Sequence, residues 1–410
     1  MPFLFTLSTT SNTNLADSFR SITHPSLILA GTTQRSLLRS ALKQHKRLSS
    51  QAQKQNLPSV LAAVDEYLPY LLALNAGLSG ASIHDEEIDV ILQTELETEW
   101  RCPLASNPTG VGNARIKGRG LDFELAFVLH TKACISTLQA RLALQTLLSS
   151  SGDRKEAISR AAIQAKDHLL TAESIHRYLS TANIEGQFPA SAIDIDSTTQ
   201  NGLCNLASAE ATLMAILSQD PYPAAVLQSR DNDDREWMYK ARDIPKVRAS
   251  LCGRLAIRAA EYADRALSLL NGKIDKSLLD YIRNLAAICR GKACRFFAID
   301  AELGGKVGDA LAWIIAGKKY LGYKIIEADV TKVSSLSKLK MEWTQKREDK
   351  KAGKGKEITL EGGKSDESRA LNLLEQEFQK TNDLVTYFEM PPHKRWLTRE
   401  DQSPDYTFIR

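Results

Sequence analysis

The distribution of proline is the sequence feature that most limits how this chain can fold. All thirteen prolines lie outside two long blocks, residues 109–188 and 246–390. A proline in a helix interior costs about 3 kcal/mol, so stretches of this length without one are where long helices can form. Both blocks are rich in Ala, Leu, Lys, Arg and Glu, and alternating β-branched runs are few throughout the chain. These features predict an all-α fold.

Within the two blocks, apolar residues recur with the period of an α-helix. Short connections rich in small residues separate the periodic stretches, and short connections between long helices favour antiparallel hairpins. We therefore expect an α-solenoid that resembles tetratricopeptide repeats without a strict repeat period. The predicted helices span residues 121–148, 155–182, 246–270, 276–302 and 306–321.

Composition excludes several classes of protein. The 53 basic and 49 acidic residues leave a net charge of only +4, which does not indicate a nucleic-acid partner. No uninterrupted apolar run reaches the length of a transmembrane helix. The six cysteines contain no C-x-x-C pair, which argues against a disulfide framework and a zinc ribbon. We expect a protein of a reducing, intracellular compartment.

No motif for catalysis or metal binding is complete. The glycine pairs Gly110–Gly112 and Gly118–Gly120 do not extend to a phosphate-binding loop, and no strand is expected before them. The seven histidines are isolated, and H-E-x-x-H is absent. We expect a protein that is not an enzyme and has no cofactor and no metal. An enzyme whose site is assembled from distant residues is the alternative.

One charged pattern stands out near the N-terminus. Four basic residues follow an i, i+4 ladder on a helix predicted over residues 34–54: Arg35, Arg39, Lys43 and Arg47. The simplest interpretation is a solvated helix face. The alternative is an electrostatic patch for anionic lipid or an acidic partner, because each Lys or Arg near a membrane contributes about 1 kcal/mol. That alternative describes an adaptor that acts at a membrane surface through the basic helix alone.

The C-terminal part differs in composition from the two blocks. Residues 344–366 are rich in Lys, Gly and Glu and have almost no large apolar side chains. Such a segment cannot offset the entropy of ordering, so we predict a disordered insertion. A final helix is predicted over residues 367–388.

Several segments, in this order and spacing, resemble the Bro domain of Alix-type adaptors. They are Gly120–Ala126, Leu203–Glu210, Arg254–Tyr262, Lys292–Glu302, Gly308–Ala312 and Lys380–Tyr387. The strings PFLFTLSTTSNTNLADSF and DEYLPYLLAL are more specific and resemble the fungal ambient-pH regulators within that family. The resemblance covers residues 1–390.

The resemblance implies a curved helical Bro-type domain over residues 1–343 with a tetratricopeptide-like centre, completed by the final helix. It implies a monomeric scaffold whose concave face binds the C-terminal amphipathic helix of an ESCRT-III subunit of the Snf/CHMP class. It also implies alkaline-pH signalling, upstream of the proteolytic activation of a zinc-finger transcription factor. The expected location is the cytoplasm, with recruitment to endosomal or plasma-membrane signalling sites. Residues 389–410 depart from the family pattern and are predicted to be a divergent tail.

Candidate contact residues for that partner come from the segments that match the family. Leu203, Leu206 and Leu213 form an apolar stripe near the middle of the chain, in the segment that resembles the central helix of the family. Leu311 belongs to the segment that resembles a later helix. Helix-in-groove recognition requires apolar side chains on an exposed face. The alternative is that this stripe is buried core.

Overall fold

The computed structural model describes residues 1–83, 86–106, 114–147, 154–182, 187–223, 248–270, 272, 274–323 and 363–382. Within these ranges the chain is predominantly helical, so the expected all-α class is confirmed. The helices are α1 Pro25–Arg47, α2 Ser50–Ser79, α3 Leu121–Leu147, α4 Arg154–Ala182, α5 Ser197–Leu217, α6 Ala249–Leu270, α7 Lys276–Leu303, α8 Val307–Tyr320 and α9 Lys364–Thr381. The five helices predicted from periodicity correspond to α3, α4, α6, α7 and α8 to within about three residues at each end, the usual uncertainty of helix boundaries.

The N-terminal helices differ from the prediction. The helix expected over residues 34–54 is divided between α1 and α2, because the backbone becomes extended at Leu48 and Ser49 caps the next helix. Two prolines, Pro58 and Pro69, lie inside α2, which the proline argument did not anticipate. Both prolines are exposed.

Among the described helices, α2 is the one long and apolar enough to cross a membrane by length and composition. Core helices of soluble proteins can meet the same criterion. One face of α2 packs into the hydrophobic core, and Asp65 and Glu66 lie on the exposed face. The buried residues of that face are Leu57, Val60, Val64, Tyr67, Leu71 and Leu74.

The described residues also contain short antiparallel strand pairs. The longest is the hairpin of β5 Glu97–Arg101 and β6 Arg115–Arg119, in which Trp100 pairs with Ile116. Two further pairs have two residues in each strand, β1 Phe19–Arg20 with β4 Ile91–Leu92 and β2 Ser82–Ile83 with β3 Glu86–Glu87. None of them forms a sheet at the centre of the helical array.

Helices α3 to α8 form the solenoid, since each packs on its neighbours in sequence. Two glycines show that the packing is antiparallel and close. A Cβ on Gly202, near the start of α5, would lie 2.6 Å from Cγ of Leu270 at the end of α6. A Cβ on Gly253, near the start of α6, would lie 2.7 Å from a ring carbon of Phe297 near the end of α7.

The N-terminal segment crosses one face of the solenoid. Arg141 of α3 donates to the carbonyl of Pro2 at 2.7 Å, and the amide of Phe3 donates to the Glu210 carboxylate of α5 at 3.1 Å. The Tyr281 hydroxyl of α7 also donates to Glu210. This segment therefore covers the side of α5 that would otherwise face solvent between α3 and α7.

The last described helix, α9, packs on α8 and α7. It begins at Lys364, so the final three residues of the predicted insertion are helical. Residues 344–362, the predicted end of this helix beyond residue 382, and the predicted tail at 389–410 lie outside the described residues. The domain boundaries proposed there remain predictions.

Candidate partner-binding surface

The four leucines predicted as partner contacts are core residues in this structure. Leu203, Leu206, Leu213 and Leu311 are 1%, 2%, 8% and 4% exposed. The first three lie on α5, which is enclosed by α4, α6 and the N-terminal segment. As folded, none of the four is available as an exposed anchor. Burial of the stripe supports the alternative of core packing, and a direct binding role for these residues stays a prediction.

The least buried residues of α5 share one narrow face. Asn201, Asn205, Ser208 and Thr212 are spaced four, three and four residues apart, which places them in a single row along the helix. All four have short polar side chains. The row lies between α4 and α6, the two helices that flank α5. It forms a polar floor with apolar residues on either side.

On the α4 side of this floor, Leu170 is 47% exposed. It lies one turn before Glu173, and the Glu173 carboxylate accepts hydrogen bonds from Ser208 at 3.4 Å and from the Cys204 thiol at 3.5 Å. Residues three apart share a helix face, so Leu170 lies on the side of α4 that borders α5. Ile163, one heptad earlier, is 45% exposed on the same side.

On the α6 side, Leu251 is 46% exposed, and Leu255 and Tyr262 are half-buried. Their spacing of four and seven residues places them on one face. Gly253 faces Phe297 of α7, so this row lies on the opposite edge of α6, toward α5. We call this surface the α4–α6 groove. Its floor is the polar row of α5, and its sides are lined by Ile163, Leu170, Leu251, Leu255 and Tyr262.

Beneath the groove, the structure assembles a buried polar cluster that the sequence did not predict. Gln200 of α5 joins two histidines, with its Oε1 2.7 Å from Nδ1 of His176 and its Nε2 3.0 Å from Nδ1 of His130. The cluster continues to Asp194, whose Oδ2 lies 3.8 Å from Nε2 of His130. The Sγ of Cys134 lies 3.5 Å from that same nitrogen.

Burial sets the protonation of this cluster. Desolvation, with the second imidazole as a smaller cause, lowers the pKa of His130 to about 3, and desolvation lowers that of His176 to about 4. Desolvation raises the pKa of Asp194 to about 8 and outweighs the opposing effect of hydrogen bonds from the Leu104 backbone and the Cys102 side chain. At neutral pH the histidines are neutral and Asp194 holds a proton. These groups pack the interior and have no contact with solvent.

Metal binding has no support in the described part of the chain. No group of three or more His, Cys, Asp or Glu side chains is placed there to hold an ion. All six cysteines are buried, and none of them forms a disulfide. Desolvation raises the pKa of the Cys204 thiol to about 11, so this group is a poor nucleophile at neutral pH.

The predicted basic stripe is not a continuous surface. Arg35 is 1% exposed, and its Nε donates to Oε1 of Glu124 at 2.9 Å. The rest of its guanidinium donates to the carbonyl of Ser11 and the hydroxyl of Thr10, both at 3.0 Å. The prediction was wrong for this residue because its counter-charge comes from α3, 89 residues away, and cannot be read from an i, i+4 pattern.

The other three residues of the stripe remain accessible to different extents. Arg39 and Lys43 are half-buried, and Arg47 is exposed at the end of α1. They lie beside the β5–β6 hairpin, and Arg115 of that hairpin belongs to the same group of charges. An adaptor that uses the whole four-residue stripe at a membrane is therefore disfavoured, because one of its four charges is neutralised in the core.

Comparison with known proteins identifies the family. The chain is 39% identical, over an alignment 423 positions long, to the pH-response regulator protein palC of Emericella nidulans, with 94% of this chain and 83% of that protein covered. This chain belongs to the palC family. No protein-family model matches it.

Solved structures confirm the fold expected for a palC-family chain. A crystal structure of ALIX in complex with the SIVmac239 PYKEVTEDL late domain has a TM-score of 0.59 at 16% identity, over 98% of this chain and 47% of that one. The ALIX BRO1–CHMP4C complex has a TM-score of 0.55 at 15% identity, over 100% of this chain and 95% of that one. A Bro1 domain described in connection with endosomal targeting has a TM-score of 0.50 at 14% identity, with coverage of 95% and 88%. The Bro-type architecture predicted for the chain is confirmed.

Proposed function

We propose that this protein is a non-enzymatic adaptor in fungal alkaline-pH signalling that binds an ESCRT-III subunit of the Snf/CHMP class. The observation that carries the signalling role is the 39% identity to a pH-response regulator over 94% of the chain. The partner is supported by the similarity of the whole chain to an ALIX BRO1 domain in complex with CHMP4C. A Bro-type array with no assembled catalytic centre in its described part fits a scaffold better than a catalyst.

The partner segment is the C-terminal amphipathic helix of that subunit, and the α4–α6 groove is its binding surface. The groove combines short side chains on its floor with exposed leucines on both sides, an arrangement that accepts the apolar face of a helix. Each fully buried anchor contributes roughly 1.5–3 kcal/mol. Three or four anchors then offset the loss of rigid-body freedom and leave an affinity in the micromolar range, about −8 kcal/mol.

In this role the buried leucines act indirectly. Leu203, Leu206 and Leu213 hold α5 in place and so position the polar floor, and Leu311 fixes α8 against α7. The protein acts as a monomer in the cytoplasm and is recruited to endosomal or plasma-membrane signalling sites. Its binding event lies upstream of the proteolytic activation of a zinc-finger transcription factor.

A titration of the full chain tests the proposal. A fluorescent peptide of the C-terminal helix of a Snf/CHMP-class subunit is titrated with the protein and followed by anisotropy. The control is a peptide of the same composition whose apolar residues are dispersed around the helix. We expect saturable binding of the first peptide with a Kd in the micromolar range and none of the second. Equal binding of both peptides, or of neither, would reject this partner.

A further inference from the structure

A group of positive charges forms where α1 passes the β5–β6 hairpin. Arg39, Lys43 and Arg47 lie at intervals of four residues on α1, and Arg115 begins β6. Arg39, Arg115 and Arg47 all lie close enough to Lys43 for their charges to act on it. Partial desolvation, followed by the charges of Arg39, Arg115 and Arg47, lowers the pKa of Lys43.

Within the part of the chain that the structure describes, this group lacks the counter-charge that other basic residues of the same region have. Among the described residues, no carboxylate forms an ion pair with Arg39, Lys43 or Arg47. Arg115 has only a distant contact, 4.0 Å from its Nη1 to a carboxylate oxygen of Glu99. By contrast, Arg119 at the other end of β6 has a 3.0 Å ion pair with Glu97.

Two guanidinium nitrogens in the group are buried, and the described residues offer neither of them an acceptor. They are Nε of Arg39 and Nε of Arg115. Buried N–H donors in folded proteins nearly always have a hydrogen-bond partner. Two such donors without a partner in one cluster of positive charges therefore indicate a place where a bound ligand would supply the acceptor. The remaining contact of Arg115 with the chain is a long one, 3.4 Å from Nη2 to the carbonyl of Thr10.

We propose that Arg39, Lys43, Arg47 and Arg115 form a binding site for a phosphomonoester group. Guanidinium forks bind phosphate with two parallel hydrogen bonds, and a phosphomonoester supplies close to two negative charges at neutral pH. A single carboxylate would leave most of the positive charge uncompensated. The site lies apart from the α4–α6 groove, so it adds a second ligand to the function proposed above.

The phosphate can belong to a soluble molecule or to a lipid headgroup, and two probes distinguish these sources. The soluble probe is inositol 1,4,5-trisphosphate, measured by calorimetry with the full chain. The membrane probe is phosphatidylcholine vesicles that contain a phosphatidylinositol phosphate, measured by sedimentation. Binding to both probes assigns the site to the phosphate group itself, and binding to vesicles alone assigns it to a headgroup at a membrane surface. Both results support the site if the variants below reduce binding.

The variants are Arg39→Gln and Arg115→Gln, with Arg119→Gln as the matched control. Arg119 lies on the same strand as Arg115 and loses the same charge, but its guanidinium already bonds Glu97. A charge-assisted hydrogen bond corresponds to roughly a tenfold or greater change in affinity. We expect Arg39→Gln and Arg115→Gln each to lower the affinity by at least that factor. Arg119→Gln should change the affinity by less than about threefold, because it removes a positive charge that does not contact the phosphate.

Thermal melting of each variant establishes that it is folded. Lys43→Gln removes a half-buried side chain that has no hydrogen-bond partner among the described residues, and it provides the same test if an arginine variant unfolds. The proposal is overturned if neither probe binds, or if Arg119→Gln reduces binding as much as Arg115→Gln does.

Discussion

Arg35 and Glu124 form an ion pair in the core of the N-terminal part of the chain. The two side chains are 1% and 0% exposed, and the bond from Nε to Oε1 is 2.9 Å long. Tyr67 donates to the same carboxylate at 3.3 Å, and the Trp100 indole donates at 2.7 Å. Glu124 thereby joins α1, α2 and the β5–β6 hairpin to α3.

Replacement of Arg35 should therefore destabilise the fold. Arg35→Met leaves a buried carboxylate without its counter-charge, and the removal of one member of such a pair costs about 3–5 kcal/mol. Urea unfolding followed by circular dichroism measures the change. Arg47→Met, which removes an exposed arginine from the same helix, should change the free energy of unfolding by less than about 0.5 kcal/mol. Equal effects of the two variants would contradict the assignment of Arg35 to the core.

The attachment of α9 depends on a second buried network. Arg295 of α7 binds Asp220 and Glu367, and Lys292 donates to Glu367 at 2.7 Å. The positive charges of the two basic side chains equal the negative charges of the two carboxylates. The positive charges of Arg295 and Lys292 outweigh desolvation and keep the pKa of Asp220 and Glu367 below their usual values.

Glu367→Ala should release α9 while the solenoid stays folded. The variant removes the one residue of α9 in this network and leaves an excess positive charge on α7. We expect faster hydrogen exchange of the amides in Lys364–Thr381, with exchange in α4 and α5 unchanged. Glu375→Ala, which removes the half-exposed partner of Lys318, is the control and should have a much smaller effect. Protection of α9 equal to that of the unmodified protein would contradict this role of Glu367.

The buried Asp194 should make the protein less stable as the pH rises. Its pKa is raised from 3.8 to about 8, so between these values the folded state holds a proton that the unfolded state has lost. The free energy of unfolding then falls by at most about 1.4 kcal/mol for each pH unit across that window. Above about pH 8 both states are ionised, and the loss is complete.

Asp194→Asn removes this dependence with little change in shape. Relative to the unmodified protein, the variant should gain thermal stability progressively from pH 5 to pH 8. His130 and His176 contribute equally to the pH dependence of stability in both proteins, so the difference in Tm between them reports on Asp194 alone. A difference that stays constant with pH would show that Asp194 is ionised in the folded state.

Leu206→Asp tests the place of the central leucines directly. Leu206 is 2% exposed, and a charge at this position would be buried without a partner. We expect the free energy of unfolding to fall by several kcal/mol, together with loss of peptide binding. An unchanged melting curve with loss of binding would instead make Leu206 an exposed anchor.

The long helices of the solenoid could be predicted because their signals are local. Proline exclusion and a period of 3.6 residues located α3, α4, α6, α7 and α8. The β5–β6 hairpin was missed because its inward positions include Gly118, which fits against the ring of Phe123 in place of an apolar side chain. A Cβ on Gly118 would lie 2.3 Å from that ring, so the glycine is there for packing.

The site could be predicted only in part, because burial depends on distant segments. An apolar stripe on α5 is equally compatible with an exposed groove and with a core. The N-terminal segment decides between them through the bond from Phe3 to Glu210, across 207 residues. The two exposed leucines of the groove, Leu170 and Leu251, were missed as binding residues because a helical apolar period does not distinguish a buried row from an exposed one.

The central claim is that the α4–α6 groove binds the ESCRT-III helix, and one matched pair of variants tests it most directly. Leu170→Asp alters the groove, and Leu72→Asp alters a leucine on α2 with the same exposed fraction of 47%. Peptide anisotropy and thermal melting are measured for both. We expect Leu170→Asp to weaken binding at least about tenfold, because one apolar anchor is lost, and to leave the Tm unchanged. We expect Leu72→Asp to change neither the binding nor the Tm. Unaltered binding by folded Leu170→Asp, or equal weakening by Leu72→Asp, would contradict the claim.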